Sequence, residues 1–365
     1  MKEQLTHMHG GDLDAIERLY GIPKNEIVDF SGNINPLGFP ESVRKLLADN
    51  IYIVSAYPDK KYVKLRESIA SYTGTKPEYV SVGNGSTELI SVFIKSVNAK
   101  KTIIMGPAYS EYENAVSVTG GSFEYFPLKE EKNFSLDIDE LLTVLTDDIG
   151  LFVACNPNNP TGTAIETKDM EKILIHCKEK GIAVMIDETY IEFSDEPEKI
   201  CTIPLAEKYD NVFVIRGISK FFAAPGLRLG YCVTSSPAFK NLLERYQDPW
   251  SVNILAAFAG ENLFKDTAFM KKTRKLILEE KYKFFNELGK FKNLRVYPTS
   301  SNFILTKLLT DKVTAADIYE KLIPQKMLVR DASSFYSLDD SFLRFCIMSP
   351  EDNARLIENL KEIIE

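Results

Sequence analysis

Three short segments place side chains that can do chemistry directly after apolar runs. They are NPNNPTG at 156–162, VMIDETY at 184–190 and ISKFFAAPGLRLG at 218–230. The second ends an apolar run with a carboxylate, and the third carries Ser-Lys with an arginine further on. An amine, a carboxylate, hydroxyls and a guanidinium together can bind a charged aromatic cofactor and its phosphate. The residues concerned are Asn159, Asp187, Tyr190, Ser219, Lys220 and Arg228.

The cofactor that suits this set is pyridoxal 5'-phosphate (PLP). Lys220 would bond to the PLP aldehyde, and Asp187 would keep the pyridine nitrogen protonated, because a nearby negative charge favours the charged form. Ser219 and Arg228 would hold the phosphate, which the planar guanidinium fits. Taken alone, Lys220 would more often be a surface lysine, and Asp187 could equally be a helix N-cap.

Further candidates surround the expected ring. Tyr190 would donate a hydrogen bond to the ring oxygen, and Asn159 would be a second donor there, unless NPNNPTG is a plain turn. Tyr109 would stack on the ring or be an ordinary core aromatic. The segment GNGSTEL at 83–89 is a second phosphate candidate, because a helix beginning there presents free N–H groups, although a simple N-cap explains it too. Its candidate residues are Gly85, Ser86 and Thr87.

Composition argues against several classes of partner. The chain has 365 residues, 44% of them hydrophobic, and a formal net charge of −8, which argues against nucleic acid. No apolar run approaches the roughly 20 residues of a membrane span. The five cysteines are widely spaced, as in a protein of the reducing cytoplasm, and the three histidines form no helical pair with an acid. We therefore expect a cytoplasmic protein without a metal site.

The alternation of apolar runs and helical stretches predicts an α/β fold with a mostly parallel sheet covered by helices on both faces. Ligands of such sheets bind beyond the carboxyl ends of the strands, and Asn159, Asp187 and Lys220 all follow a strand. The predicted strands are 79–83, 102–106, 151–155, 182–187, 211–216 and 229–233.

We expect the chain to divide into a large and a small domain. Residues 41–245 would form the large PLP-binding domain, and the helices of 246–285 would link it to a smaller α+β domain at 286–365. The segment 1–40, with a short helix at 11–20, would pack on the small domain and the active site.

Two arginines lie in or directly after apolar strands of the expected small domain. They are Arg330 in MLVRD and Arg344 in FLRFC. A guanidinium cannot neutralise itself when buried, so each needs an anionic partner. A substrate carboxylate or phosphate would serve, and so would an internal acid.

Together these residues resemble those of fold-type I PLP-dependent enzymes, the class I/II aminotransferase superfamily. The segments NPNNPTG, DETY and SKFFAAPGLRLG have its order and spacing, and the resemblance covers nearly the whole chain. It implies a seven-stranded, mostly parallel sheet. AYPD and GNGSTE resemble the histidinol-phosphate aminotransferase group. HGGDLDAIERLYGIP, DFSGNINPLGFP and DPWSVNILAAFAGE are similar to threonine-phosphate decarboxylases.

The resemblance also implies a homodimer with shared active sites. Tyr57 would reach into the neighbouring subunit and touch the cofactor phosphate there, and Arg344 would hold the substrate α-carboxylate. The substrate side would further be lined by His9, Gly10, Ser31, Gly32, Asn33, Asn159 and Arg330.

The sequence leaves the reaction between two possibilities. It favours decarboxylation of L-threonine O-3-phosphate, a phosphorylated anionic amine. The alternative is a histidinol-phosphate-type aminotransferase using 2-oxoglutarate, which Tyr109 and Tyr190 favour. A non-catalytic binding protein or regulator module with the PLP fold is a remote alternative, since the sequence contains no basic DNA-binding extension.

Overall fold

The computed structural model describes residues 10–365. A seven-stranded sheet forms the centre of the larger part. The strands in chain order, beginning with a short strand outside this sheet, are β1 (Val28–Asp29), β2 (Val80–Gly83), β3 (Lys101–Gly106), β4 (Ser122–Pro127), β5 (Leu151–Cys155), β6 (Ala183–Asp187), β7 (Val212–Gly217) and β8 (Gly230–Val233). The sheet order is β2-β8-β7-β6-β5-β3-β4, and every strand except β8 runs in the same direction.

This sheet confirms the predicted α/β class. Strands β5 and β7 are buried at every position, and β6 at all but its first, as expected of parallel strands covered on both faces. Strand β4 was not predicted. It lies at the sheet edge, and its residues SFEYFP are mostly exposed or half-buried, so no continuous apolar run marks it.

Helices cover the sheet and connect its strands. The predicted N-terminal helix begins after the cap Asp12 and ends where Gly21 adopts φ 69°, a conformation that glycine tolerates best. The helices are α1 (Leu13–Tyr20), α2 (Glu41–Asp49), α3 (Val63–Thr73), α4 (Gly85–Val97), α5 (Glu111–Val118), α6 (Ile138–Val144), α7 (Thr167–Glu179), α8 (Pro197–Ile200), α9 (Ile203–Lys208), α10 (Pro237–Tyr246), α11 (Ile254–Leu263), α12 (Thr267–Leu288), α13 (Ala315–Leu322) and α14 (Pro350–Ile364).

The C-terminal part contributes the strands β9 (Leu294–Val296), β10 (Phe303–Leu308), β11 (Met327–Leu328), β12 (Arg330–Asp331) and β13 (Phe342–Cys346). Four of them form a second, antiparallel sheet in the order β12-β13-β10-β9. The expectation of a single apolar strand at MLVRD was wrong, because the chain changes sheets at Val329: β11 pairs with β1, and β12 pairs with β13. The domain bounds drawn from the sequence stay a prediction.

The helices between residues 10 and 365 are all too short or too polar to cross a bilayer.

A buried ion pair ties β7 to the turn after β6. Nε and Nη2 of Arg216 donate to Oε2 of Glu188 at 2.9 and 2.7 Å, and Glu188 is fully buried. The other oxygen of Glu188 accepts from the backbone N–H of Thr202. The pair therefore fixes the backbone directly beside Asp187.

We predict that Arg216→Met destabilises the protein by about 3–5 kcal/mol, because Glu188 would stay buried without its countercharge. Urea unfolding measures the loss. The control is Lys208→Met, which breaks an exposed ion pair with Glu171 and should leave the free energy of unfolding nearly unchanged. Equal losses in the two variants would contradict the argument.

Candidate functional site

A cavity of about 410 Å³ lies at the carboxyl ends of β5, β6 and β7 and reaches the small sheet. The predicted residues that line it are Gly10, Ser31, Gly32, Asn33, Ser86, Thr87, Tyr109, Asn159, Asp187, Tyr190, Ser219, Lys220, Arg228, Arg330 and Arg344. Parallel strands end at one edge of a sheet, which is why residues distant in sequence meet here.

Lys220 follows β7 and is half-buried. Its Nζ donates to the carbonyl oxygen of Gly32 at 2.7 Å. Burial, followed by the positive charge of Arg344, lowers the pKa of this amine to about 8. A neutral amine is the nucleophilic form, so this environment suits attack on an aldehyde.

Asp187 ends β6 and is not a helix N-cap. Its Oδ1 accepts from the N–H and the hydroxyl of Thr189, at 2.9 and 2.5 Å, and its Oδ2 accepts from the Tyr112 hydroxyl at 2.8 Å. Burial raises the pKa of Asp187, and these hydrogen bonds oppose that rise. No cationic side chain between residues 10 and 365 bonds Asp187 directly, so this buried carboxylate suits a protonated ring nitrogen.

The cavity end near α4 is suited to phosphate. Gly85 opens this helix with φ 81°, and a Cβ at Gly85 would overlap the guanidinium of Arg228. Asn84 makes no side-chain cap, while Ser86 and Thr87 face the cavity from the first turn. A helix N-terminus, hydroxyls and a guanidinium form an anion site.

The opposite wall carries Arg344, which is buried. Nη1 donates to Oδ1 of Asn159, and Nη2 donates to the carbonyl oxygen of Ser31 at 2.6 Å. Within residues 10–365, Nε of Arg344 and Oδ1 of Asn33 are buried without a hydrogen-bond partner. Such orphaned groups are costly, so a polar ligand in this cavity would stabilise them.

The segment NPNNPTG is more than a plain turn. The side chain of Asn156 bonds the backbone of Ile165 and Ile200, and that of Asn158 bonds the carbonyl oxygen of Pro107. This network fixes Asn159 against Arg344. Tyr190 is also buried, and its hydroxyl accepts from Asn33 at 3.4 Å.

Two of the predicted residues between positions 10 and 365 lie outside the cavity lining. Gly85 lies directly against the guanidinium of Arg228, which does line the cavity. Tyr57 is 79% exposed and its ring lies 4.9 Å from that of Trp250, away from this cavity, so its role in a partner's site stays a prediction. His9 lies outside the described residues.

Sequence reasoning missed several residues of the site. Tyr112 and Thr189 hold Asp187, and Tyr125, Phe335 and Tyr336 line the cavity. Tyr112 had a signal, because it lies in the same segment as Tyr109 after β3. Thr189 had one too, because it lies in VMIDETY two residues after Asp187. Tyr125, Phe335 and Tyr336 had none, because their approach depends on the folded positions of β4 and of the loop between β12 and β13.

The cavity therefore fits PLP by its donor set, by the glycine that makes room for Arg228 and by its orphaned polar atoms. A model of the family described as aminotransferase class I and II matches residues 25–360. The chain belongs to this aminotransferase family.

This aminotransferase-family chain is similar to two named relatives. It is 39% identical to a Caldanaerobacter subterraneus protein with the provisional name threonine-phosphate decarboxylase, over 91% of this chain and 89% of the relative. It is 34% identical to the threonine-phosphate decarboxylase of Salmonella typhimurium, over 98% and 96%.

A solved structure is also similar. The histidinol-phosphate aminotransferase of Clostridium acetobutylicum superposes with a TM-score of 0.86 at 32% identity, over 92% of this chain and 98% of that one. The aminotransferase family uses PLP, and this chain is a PLP-dependent enzyme, as the residues predicted.

We predict that PLP attaches to the cofactor-free enzyme faster as pH rises, with the rate levelling above about 8, because the Lys220 amine loses its proton there. Arg344→Gln should move the pH at which this rate is half-maximal to a higher value, because removing the positive charge of Arg344 raises the pKa of Lys220. The growth of the visible PLP absorbance measures the rate. Arg330→Gln is the control, and an equal shift in both variants would contradict the assignment to Arg344.

We predict that Gly85→Ala weakens PLP binding about 10- to 100-fold, because the added Cβ displaces Arg228 and costs one charge-assisted contact. Titration of the cofactor-free enzyme with PLP measures the affinity. Gly226→Ala is the matched control, since a Cβ there meets no atom within 4 Å. If Gly85→Ala binds PLP with unchanged affinity, Arg228 does not contact the cofactor phosphate.

Proposed function

We propose that this enzyme decarboxylates L-threonine O-3-phosphate with PLP. The observation that carries the proposal is the pairing of Arg330 with Arg344 across β12 and β13, with both lining the cavity beside Lys220. Like charges opposite each other on adjacent strands repel. Burial, followed by the charge of Arg344, lowers the pKa of Arg330 to about 10. A substrate with two anionic groups would relieve this repulsion.

The proposed cofactor contacts follow from the donor set. Ser86, Thr87, Ser219 and Arg228 would hold the phosphate of PLP, and Asp187 would hold its pyridine nitrogen. When bound, PLP supplies a protonated ring that withdraws electrons from the substrate Cα. The ring of Tyr109 would stack on the PLP ring, and the hydroxyl of Tyr190 and the amide of Asn159 would lie beside the ring oxygen. Asn159 is also the acceptor that fixes Arg344.

The proposed substrate contacts assign one anion to each arginine. Arg344 would bind the α-carboxylate, because its unpaired Nε leaves one donor available within residues 10–365. Arg330 would bind the substrate phosphate. The flanking backbone of Gly10, Ser31, Gly32 and Asn33 would close this side of the cavity.

The choice of bond depends on how the carboxylate is held. A Cα bond perpendicular to the ring is weakened, so a fixed Arg344 can select the carboxylate for departure. Arg344 would hold the carboxylate that departs as carbon dioxide, and Nζ of Lys220 would then donate a proton to Cα. The named decarboxylase relatives support this reaction.

A second candidate is transamination of a histidinol-phosphate-type substrate. The observation that favours it is the pair of hydroxyls, Tyr109 and Tyr190, in the cavity lining. Phenols beside the ring oxygen suit transamination, and the similar structure from Clostridium acetobutylicum carries that name. Histidinol phosphate has one anionic group for two arginines, which is why we place it second.

We also propose a homodimer in which Tyr57 contacts the cofactor phosphate of the neighbouring site. Its exposed ring beside Trp250 supports this proposal. An active monomer at assay concentration would contradict it.

We predict that the enzyme releases CO₂ from L-threonine O-3-phosphate without any keto acid. Amino transfer that requires 2-oxoglutarate, without CO₂ release, would instead establish the second candidate.

Lys220→Ala should lower turnover by more than about 10³-fold, because it removes the amine that binds the cofactor and moves the proton.

The same assay tests Arg330. We predict that Arg330→Gln raises KM for the phosphorylated substrate about 10- to 100-fold, because a charge-assisted hydrogen bond to the phosphate is lost. The control is Arg44→Gln, which changes an exposed arginine that pairs with Glu41 and does not line the cavity. An unchanged KM would place the substrate phosphate elsewhere.

A further inference from the structure

The outer part of the cavity is bordered by two stacked tyrosines from different sheets. Tyr125 lies on β4 of the large sheet, and Tyr336 lies in the loop between β12 and β13. Their ring centroids are 4.2 Å apart, with an angle of 14° between the planes. Both residues line the cavity, so this stack joins the two sides of its wall.

Tyr125 is fixed from two directions. Its hydroxyl donates to Oε2 of Glu113 at 2.6 Å. A Cβ at Gly106 would overlap the Tyr125 ring, so this glycine lets the ring lie directly against the backbone at the end of β3. The large sheet therefore presents a rigid aromatic surface at this point.

Tyr336 is held more loosely. It is 43% exposed, and its hydroxyl makes no hydrogen bond with any residue from 10 to 365. The ring of Phe123 also contacts Tyr125 edge-on, with the centroids 5.6 Å apart, whereas Tyr336 has one aromatic contact among residues 10–365, the stack on Tyr125. An aromatic pair of this kind is weak enough to open and close on the timescale of loop motion.

The loop that carries Tyr336 also contacts the two arginines. Ser334 Oγ accepts from Nη2 of Arg330 at 2.8 Å. The ring of Phe335 lies 5.2 Å from the guanidinium carbon of Arg330 and 5.9 Å from that of Arg344. The position of Tyr336 is therefore linked through two neighbouring residues to the groups that face the substrate.

We propose that Tyr336 is a specificity-determining residue that closes the cavity against Tyr125 and limits the size of the amine that reaches Lys220. The proposal deepens the proposed function, on which its substrate part rests. The closed stack leaves room for a short side chain beside the arginines, whereas a longer, ring-bearing side chain would have to displace Tyr336. Loss of this ring should admit larger molecules without changing the cofactor site.

The first test uses two reagents that attack the aldehyde of bound PLP, hydroxylamine as the small probe and phenylhydrazine as the large one. In Tyr336→Ala, the phenylhydrazine rate should rise about 2- to 10-fold, the range expected for loss of one aromatic pair, and the hydroxylamine rate should change less than about 2-fold. Tyr336→Phe should behave as wild type, because the ring makes the contact. Tyr282→Ala removes another exposed tyrosine, on α12, and is the matched control.

The second test compares substrates. In Tyr336→Ala, kcat/KM for L-histidinol phosphate should rise relative to that for L-threonine O-3-phosphate, mainly through KM. If wild type acts on neither compound, the proposed function fails, while the reagent rates still decide the role of Tyr336.

Two outcomes would overturn the proposal. Equal acceleration of both reagents would show that the PLP pocket itself had opened, and unchanged rates would show that Tyr336 does not limit entry.

A double-mutant cycle with Tyr125→Ala checks the stack independently of turnover. The effects of the two substitutions on urea unfolding of the cofactor-free protein should be non-additive. The departure from additivity should amount to about 2- to 10-fold in the unfolding equilibrium constant. Additive effects would show that the rings of Tyr125 and Tyr336 do not stabilise each other.

Discussion

The convergence of positive groups in one buried cavity is the constraint on which the site depends. Lys220, Arg228, Arg330 and Arg344 all line it, in a chain whose net charge is −8. Burying cations is costly unless something compensates for their lost hydration. Here the compensation is incomplete, since burial lowers the pKa of Lys220, Arg330 and Arg344. An anionic cofactor would complete it, as would the anionic substrate proposed above.

Backbone carbonyl groups take part in this compensation. Gly32 accepts from Lys220, and Ser31 accepts from Arg344. Both belong to a turn organised by Asp29, whose Oδ1 accepts from the N–H groups of Ser31 and Gly32 and from the Ser31 hydroxyl. One carboxylate therefore fixes two acceptors at once, and it does so without entering the cavity lining.

Much of this arrangement was predictable because it follows from periodicity and local chemistry. The parallel strands are continuous apolar runs, and the groups at their carboxyl ends had to meet at one edge, which placed Asp187 and Lys220 correctly. Contacts that depend on tertiary approach were not predictable. The hydroxyl of Tyr112 on Asp187 and the stack of Tyr125 with Tyr336 join residues from separate elements, and β4 carries no continuous apolar run.

The pairing of β1 with β11 has a consequence for the time at which the site can form. Val28 lies beside Met327, and the carbonyl oxygen of Phe30 accepts from the backbone N–H of Cys346. One wall of the cavity thus joins residues that are far apart in the sequence. During synthesis this wall must wait until Cys346 has left the ribosome, even if the central sheet has folded earlier. The pocket for the vitamin-derived cofactor is therefore completed later than the sheet that carries most of its residues.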